Sequence, residues 1–433
     1  MRKKILCTII ISLFIVSSFG CTHINNILST GTSIELPTEI ISVTVGRSAS
    51  FAIDVDGGLW AWGDNEFGQL GDGTRTIRAE RPNPHILDHY IPEIIDDNNK
   101  RRPVKIMDDV VYVTAGNFNT MAIRTDGSLW AWGNFRFTDG LTQSNYPIKI
   151  MDDVVSVSLG SSHAMVIKTD GSLWALGGNR EGQIGDGTIT TRDNNNDRDT
   201  PVKIMDSVKY VSAGSRHSMA IKTDGSLWAW GWNRSGQLGN GGGGNVSDCV
   251  GWPVQTIPVK IMDDVASVSA GTDHTMAIKT DGTLWAWGSN WSGEIGDGTA
   301  SGRDENFNII DNQRYSPVKV MDSVVAVSLG RSHSMAIRTD GSLWAWGSNE
   351  HGLIGKETDL RPAGAAWARS AQSPIKIMDS ITSVSTGSHT LALKADGSVW
   401  AWGGNRSSQL GDGTTERRLT PIKIIEGTEN GDY

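Results

Sequence analysis

Apolar and small polar residues alternate in short runs along this chain, and the runs return in a fixed order. Val154 to Gly160 alternates in the way a strand in a crowded place does. Ala164 to Lys168 supplies a second strand after a short loop. Thr169-Asp170-Gly171-Ser172 then reads as a tight hairpin, because Asp-Gly tolerates the positive φ of the favoured turns. Leu173-Trp174-Ala175-Leu176 is apolar on both faces, so a third strand there lies sandwiched between neighbouring sheets. A glycine-rich loop from Gly182 to Thr188 leads on to a fourth strand at Pro201 to Ile204, whose leading proline suits an edge.

This unit occurs seven times, anchored at Asp56-Gly57, Asp126-Gly127, Asp170-Gly171, Asp224-Gly225, Asp281-Gly282, Asp340-Gly341 and Asp396-Gly397. Such self-similarity means that each unit is one module unable to bury its apolar faces alone. The anchor spacing varies from 44 to 70 residues, nearly all of it in the third-to-fourth strand connection. Seven units of four antiparallel strands predict an all-β, seven-bladed β-propeller. We place the propeller at residues 38–426, with a tether at 21–37 and a tail at 427–433. The last strand, Pro421 to Ile425, either completes the seventh blade or pairs beside Ile40 to Val45 in the first.

Residues 1–20 read as an export leader: Arg2-Lys3-Lys4, an apolar stretch from Ile5 to Val16, then Ser17-Ser18-Phe19-Gly20-Cys21. The leader resembles a bacterial lipoprotein signal, which implies acylation of Cys21 and a cell-envelope location. Cleavage at the same bond to give a soluble secreted chain is the alternative. Cys7 leaves with the leader, so Cys249 has no evident partner and no disulfide framework is implied. The net charge is −9 before three positive charges depart with the leader. That sign argues against nucleic acid and anionic lipid heads as partners, leaving the membrane to a lipid anchor.

The run Val211 to Gly231, followed by Gly236-Gln237-Leu238-Gly239, resembles regulator of chromosome condensation repeats, in register over nearly all of the chain after the leader. The resemblance implies a seven-bladed propeller. The family's founding member exchanges nucleotide on a small GTPase and docks on chromatin, roles that suit neither an acidic nor an exported chain. A plant member senses ultraviolet light through Gly-Trp-Arg-His; here that stretch is Gly214-Ser215-Arg216-His217, without the tryptophan. A secreted bacterial β-lactamase-inhibiting protein shares the fold, which implies a binder by analogy only.

Thirteen of the 17 tryptophans fall in the third strand and are expected to pack between blades. Trp232, Trp252, Trp291 and Trp367 fall in third-to-fourth connections, where each is either a binding anchor or local packing under a long loop. His163, His217, His274, His333 and His389 share one repeat position. They would serve as metal ligands only if they converged, and Ala49 and Asn119 interrupt the set, so each is expected to cap its own blade. Asp193 to Asp199 fails as a calcium loop because Arg198 stands where glycine is needed and Ile204 where a bidentate acid is needed. No unique nucleophile or acid–base set emerges, and no metal or cofactor is called for. In an up-and-down blade the first-to-second and third-to-fourth connections share a face, so the insertions after Thr74, Thr188, Gly239, Thr299 and Gly355 should crowd the binding side.

These readings give a non-enzymatic scaffold that binds a protein of the cell envelope or exterior through its insertion face and inhibits or organises an envelope enzyme. The alternative is a carbohydrate-binding or carbohydrate-active propeller. A pair of carboxylates with raised pKa on that face would favour catalysis; exposed aromatics ringed by polar residues would favour the binder.

Overall fold

The computed structural model describes residues 39–78, 94–134, 143–242, 253–303, 308–357 and 370–427. They form seven four-stranded antiparallel sheets. Blade 3 is Val154–Leu159, His163–Lys168, Leu173–Gly177 and Arg198–Met205, so its second and fourth strands run longer than the sequence pattern indicated. The seven first strands touch one another in a closed circuit, which places them around the axis and the proline-bearing fourth strands at the rim. Pro201 sits where the ladder to the third strand shifts register, an edge position that tolerates a missing N–H. Among the described residues the helical structure is a single 3-10 turn, Glu350–Gly352, and no helix is long and apolar enough to cross a membrane.

Ring closure follows one of the two expected routes. Arg418–Ile425 pairs with Val399–Gly403 and completes blade 7. Side chains therefore join blade 7 to blade 1: Ile40, Val43, Ala52 and Trp62 pack with Leu391, Leu393, Ala401 and Leu410 in one buried cluster.

A repeated bridge ties the blades together. The second tryptophan of the third strand is fully buried in six blades (Trp62, Trp132, Trp230, Trp287, Trp346 and Trp402). Each donates its indole N–H to a loop carbonyl of the preceding blade, as Trp230 does to Gln183 at 2.9 Å. Gly185 is required beside it: its φ is +88°, and a Cβ there would lie 2.6 Å from Trp230 Nε1. The first tryptophan also packs against the cluster between blades, as Trp174 does, but in most blades it is less enclosed. Trp174 is only half-buried, bonds Ser172 of its own hairpin at 2.8 Å, and lies under Lys168.

The histidines also correct an expectation. They bridge to the next blade instead of capping their own. His163 Nε2 meets Ser218 Oγ at 2.8 Å, His217 meets Thr275 at 2.9 Å, His274 meets Ser334 at 3.0 Å, and His389 meets Ser50 at 2.6 Å. His333 meets Thr386. In the first four pairs the hydroxyl already donates to a loop carbonyl, as Ser218 does to Gln183 O at 2.8 Å. A hydroxyl has one proton, so the imidazole must carry its hydrogen on Nε2 and donate. A second proton would land on Nδ1, which is buried and has no hydrogen-bond partner.

Two seams lack the histidine: between blades 1 and 2 Ala49 replaces it while Thr120 and Trp132 still donate to Gln69 O at 2.9 Å, and between blades 2 and 3 the whole set is missing. Blade 2 carries Asn119 in the histidine position, and blade 3 answers with Ala164 for the hydroxyl and Leu176 for the tryptophan. Only apolar packing of Met121, Ile123, Val157, Ala164 and Leu176 spans it there. Amide hydrogen exchange in Ala164–Ile167 should accordingly outpace that in the equivalent strands of blades 4 to 6; equal protection would show that the polar bridges add little.

Burial holds the bridging imidazoles at about 4 for His163 and His333 and about 3 for His217, His274 and His389, against an ordinary 6.5. Their folded pKa is depressed, so between those values the unfolded chain binds up to five more protons. Stability should be intact above pH 7 and fall as pH drops through 6.5 toward 4, by about 1.4 kcal/mol per pH unit for each histidine. Thermal melting across that range should show the decline, and replacing His217 and His274 with Gln should make it shallower. A flat wild-type profile would overturn the assignment.

Candidate functional site

The two loop sets converge as strand direction requires. An open depression of about 860 Å³ is walled by Ser215, Asp273 and Arg331 from first-to-second loops, by Trp232 at the end of a third strand, and by Trp291 and Glu294 from a third-to-fourth connection. A second depression of about 620 Å³ adjoins it, lined by Arg180, Glu181, Arg192 and Val254, and the two share Arg216, Trp232 and Arg234. The opposite face carries the Asp-Gly hairpins and short Asp or Ser links, where residues such as Asp153 sit at φ 63°.

The loops are held by their own polar side chains. Asn179 is fully buried; its Nδ2 donates to Thr188 O at 3.0 Å, and its Oδ1 accepts from Ile184 N at 3.2 Å. Asn65, Asn233, Asn290, Asn349 and Asn405 repeat the second of these contacts. Arg198, in the stretch compared with a calcium loop, instead donates its Nε to Asp186 at 2.6 Å. Asp197 of that stretch accepts from Asn179 N at 2.9 Å and from Thr190 at 2.7 Å. Among the described residues no three His, Cys, Asp or Glu side chains are grouped to hold a metal.

Of the four loop tryptophans, Trp232 and Trp291 line the same depression. Trp291 is 51% exposed. Trp232 ends the third strand of blade 4 opposite Val254, with the Arg216 guanidinium 5.9 Å from its ring centre. Trp252 and Trp367 lie outside the described residues, as do Cys21 and Cys249.

Two carboxylates that the sequence reading did not single out stand in this depression, both from blade 5. Glu294 occupies the place held by Gln69, Gln183, Gln237 and Gln409 in other blades, and it is 2% exposed. Ser289 Oγ donates to Oε1 at 2.7 Å and Ser292 N donates to Oε2 at 2.6 Å. Burial nevertheless pushes its pKa up. Asp273 precedes His274 and accepts from Gln237 Nε2 at 3.3 Å. Burial raises its pKa too, against the opposing pull of Arg216 and Arg331. The signal was present in the alignment of the repeats with one another: Glu for Gln, and Asp where the other units have Ser, Arg or Phe.

The chain matches the RCC1-like domain over residues 18–363, and regulator of chromosome condensation (RCC1) repeats over 381–409 and 396–431. It is similar to the ultraviolet-B receptor UVR8 of Arabidopsis thaliana, with 28% identity over 409 residues, 90% of this chain and 82% of that one. Human WBSCR16 aligns with a TM-score of 0.68 at 20% identity, covering 87% of this chain and 96% of that one. Yeast RCC1 (Prp20) in complex with Kap60 aligns with a TM-score of 0.62 at 24% identity, covering 80% and 78%. Seven blades, repeat register and family match agree: the chain belongs to the RCC1-like propellers, a family whose members generally serve as protein-interaction scaffolds.

Proposed function

We propose that this chain is a non-enzymatic binding scaffold that grips a protein partner through its loop face. The observation that carries the reading is the shared depression, in which Trp291 is exposed beside Trp232 on a rigid wall of bridged blades. Aromatic residues in loops over a fixed frame are the residue type that dominates binding hot spots. The yeast propeller described with Kap60 gives a precedent for protein partners in the family.

The reading extends to an exported chain held at the cell envelope through Cys21. Glu39 O accepts from Val55 N at 2.8 Å in the first Asp-Gly hairpin, and the last strand ends at Ile425 opposite Val399, just past the seventh hairpin. The first described residue and the end of the last strand therefore both lie on the hairpin side, opposite the loop face. Within that reading the partner is an envelope or external protein, an enzyme held or inhibited.

The carbohydrate-active alternative gains one observation, the two carboxylates with raised pKa. Glycoside hydrolysis needs both carboxyl groups to reach the substrate. Glu294 lines the depression but is only 2% exposed, with both oxygens engaged by its own loop, which leaves Asp273 as the more accessible of the two. Glu294 is better explained as a glutamine position carrying a charge the fold does not need.

Glu294→Gln should consequently raise the melting temperature at pH 7.5 and leave it unchanged near pH 4, because an acid whose folded pKa is raised loses stability as pH rises through that value. A lower melting temperature at pH 7.5 would show that the carboxylate is required. Cross-linking capture from the native cell envelope tests the scaffold itself. The wild type should retain a protein partner that the folded variant with Trp232, Trp252, Trp291 and Trp367 changed to Ala loses. Capture of glycan alone would overturn the protein-binding reading.

A further inference from the structure

The loop face carries a charge at odds with the rest of the chain. Arg180, Arg192, Arg216, Arg234 and Arg331 are all exposed and line the two adjoining depressions, so the groove runs continuously from blade 3 to blade 6. The acids facing them are Glu181, Asp273 and the enclosed Glu294, in a chain whose net charge is −9. The positive residues lining the groove are all arginines. At the hairpin end of the outer strands the positive residues are mostly lysines, each neutralised by an aspartate three positions on, as Lys203 is by Asp206 at 2.7 Å. A guanidinium presents two parallel donors that match a carboxylate in bidentate fashion, which an ammonium cannot do.

We propose that this arginine-lined groove takes an extended acidic peptide segment of a partner protein, a refinement that rests on the scaffold reading above. Arginines from blades 3, 4 and 6 suit carboxylates spaced along a chain. Arg216 supplies one fork while its guanidinium lies over Trp232, which occupies a ring face a sugar would need for stacking. Trp291, open at the edge of the groove, meets an apolar side chain of the same segment. Hydroxyls of Ser161, Ser215, Thr272 and Ser332 line the floor and can serve a peptide backbone.

The experiment is fluorescence anisotropy with a labelled peptide of alternating Glu and Gly. A Gln-for-Glu peptide and an oligogalacturonate are the comparison probes. The Glu peptide should bind, weaken with added salt, and lose about tenfold or more in affinity when Arg216 and Arg234 are both changed to Gln. The paired control, Lys203→Gln with Lys260→Gln, removes the same charge at the other end of the blades and should leave binding unchanged. Equal binding of the Glu and Gln peptides, an equal loss in the lysine control, or oligogalacturonate binding as tightly as the peptide would each overturn the proposal. Should the acidic groove fail in this way while tryptophan-dependent partner capture persists, only the acidic segment falls and the scaffold stands.

Discussion

One shared hydroxyl governs how this ring holds together. In four of the seven interfaces a Ser or Thr on the second strand of one blade donates to a loop carbonyl of the blade before it and accepts from that blade's histidine. The tryptophan of the next strand donates to the same carbonyl. The donors and acceptors of this cluster satisfy one another in an apolar setting, where an unmade bond costs about 1–3 kcal/mol. The cluster dictates glycine where the chain must pass close by. A Cβ on Gly214 would meet Gly271 O at 2.7 Å as well as the His217 ring. It also fixes the second glycine of the Gly-Gln-Leu-Gly loop against the indole.

The same cluster positions the loop face. The carbonyl that the hydroxyl and indole share belongs to Gln183, Gln237, Glu294 or Gln409, and those side chains reach back to their own loops. Structure and candidate site are thus two sides of one turn. Substitutions that alter the groove can be made at exposed positions such as Trp291 or Arg234 without touching the bridge, whereas Glu294 belongs to both.

The two seams of blade 2 show which parts of the bridge depend on one another. Between blades 1 and 2 only the histidine is replaced, by Ala49, and Thr120 and Trp132 keep their bonds to Gln69 O, whereas between blades 2 and 3 histidine, hydroxyl and tryptophan are all absent, as Asn119, Ala164 and Leu176. A lone hydroxyl or indole left in that apolar interface would be an unsatisfied polar group. Oily packing fills the gap, and closure between blades 7 and 1 keeps the full set even though no strand is exchanged.

Blade number, strand order and the face bearing the insertions were legible in the sequence, because period-two alternation, Asp-Gly hairpins and repeat spacing are local signals. The repeat position of the histidines was legible as well, but not their partners, which lie 53 to 60 residues further on within blades 3 to 7. The reading that each histidine caps its own blade failed for that reason: sequence neighbourhood is not spatial neighbourhood in a ring. The paired tryptophans share one strand face, and their two roles were likewise set only by what each indole reaches, a loop carbonyl of the preceding blade or the hairpin of its own. Arg180, Arg192, Arg216, Arg234 and Arg331 are scattered singles along the chain, and nothing local marks them as a group. Only the closed circle brings them to one groove, because a propeller gathers equivalent loops from distant repeats onto a single face.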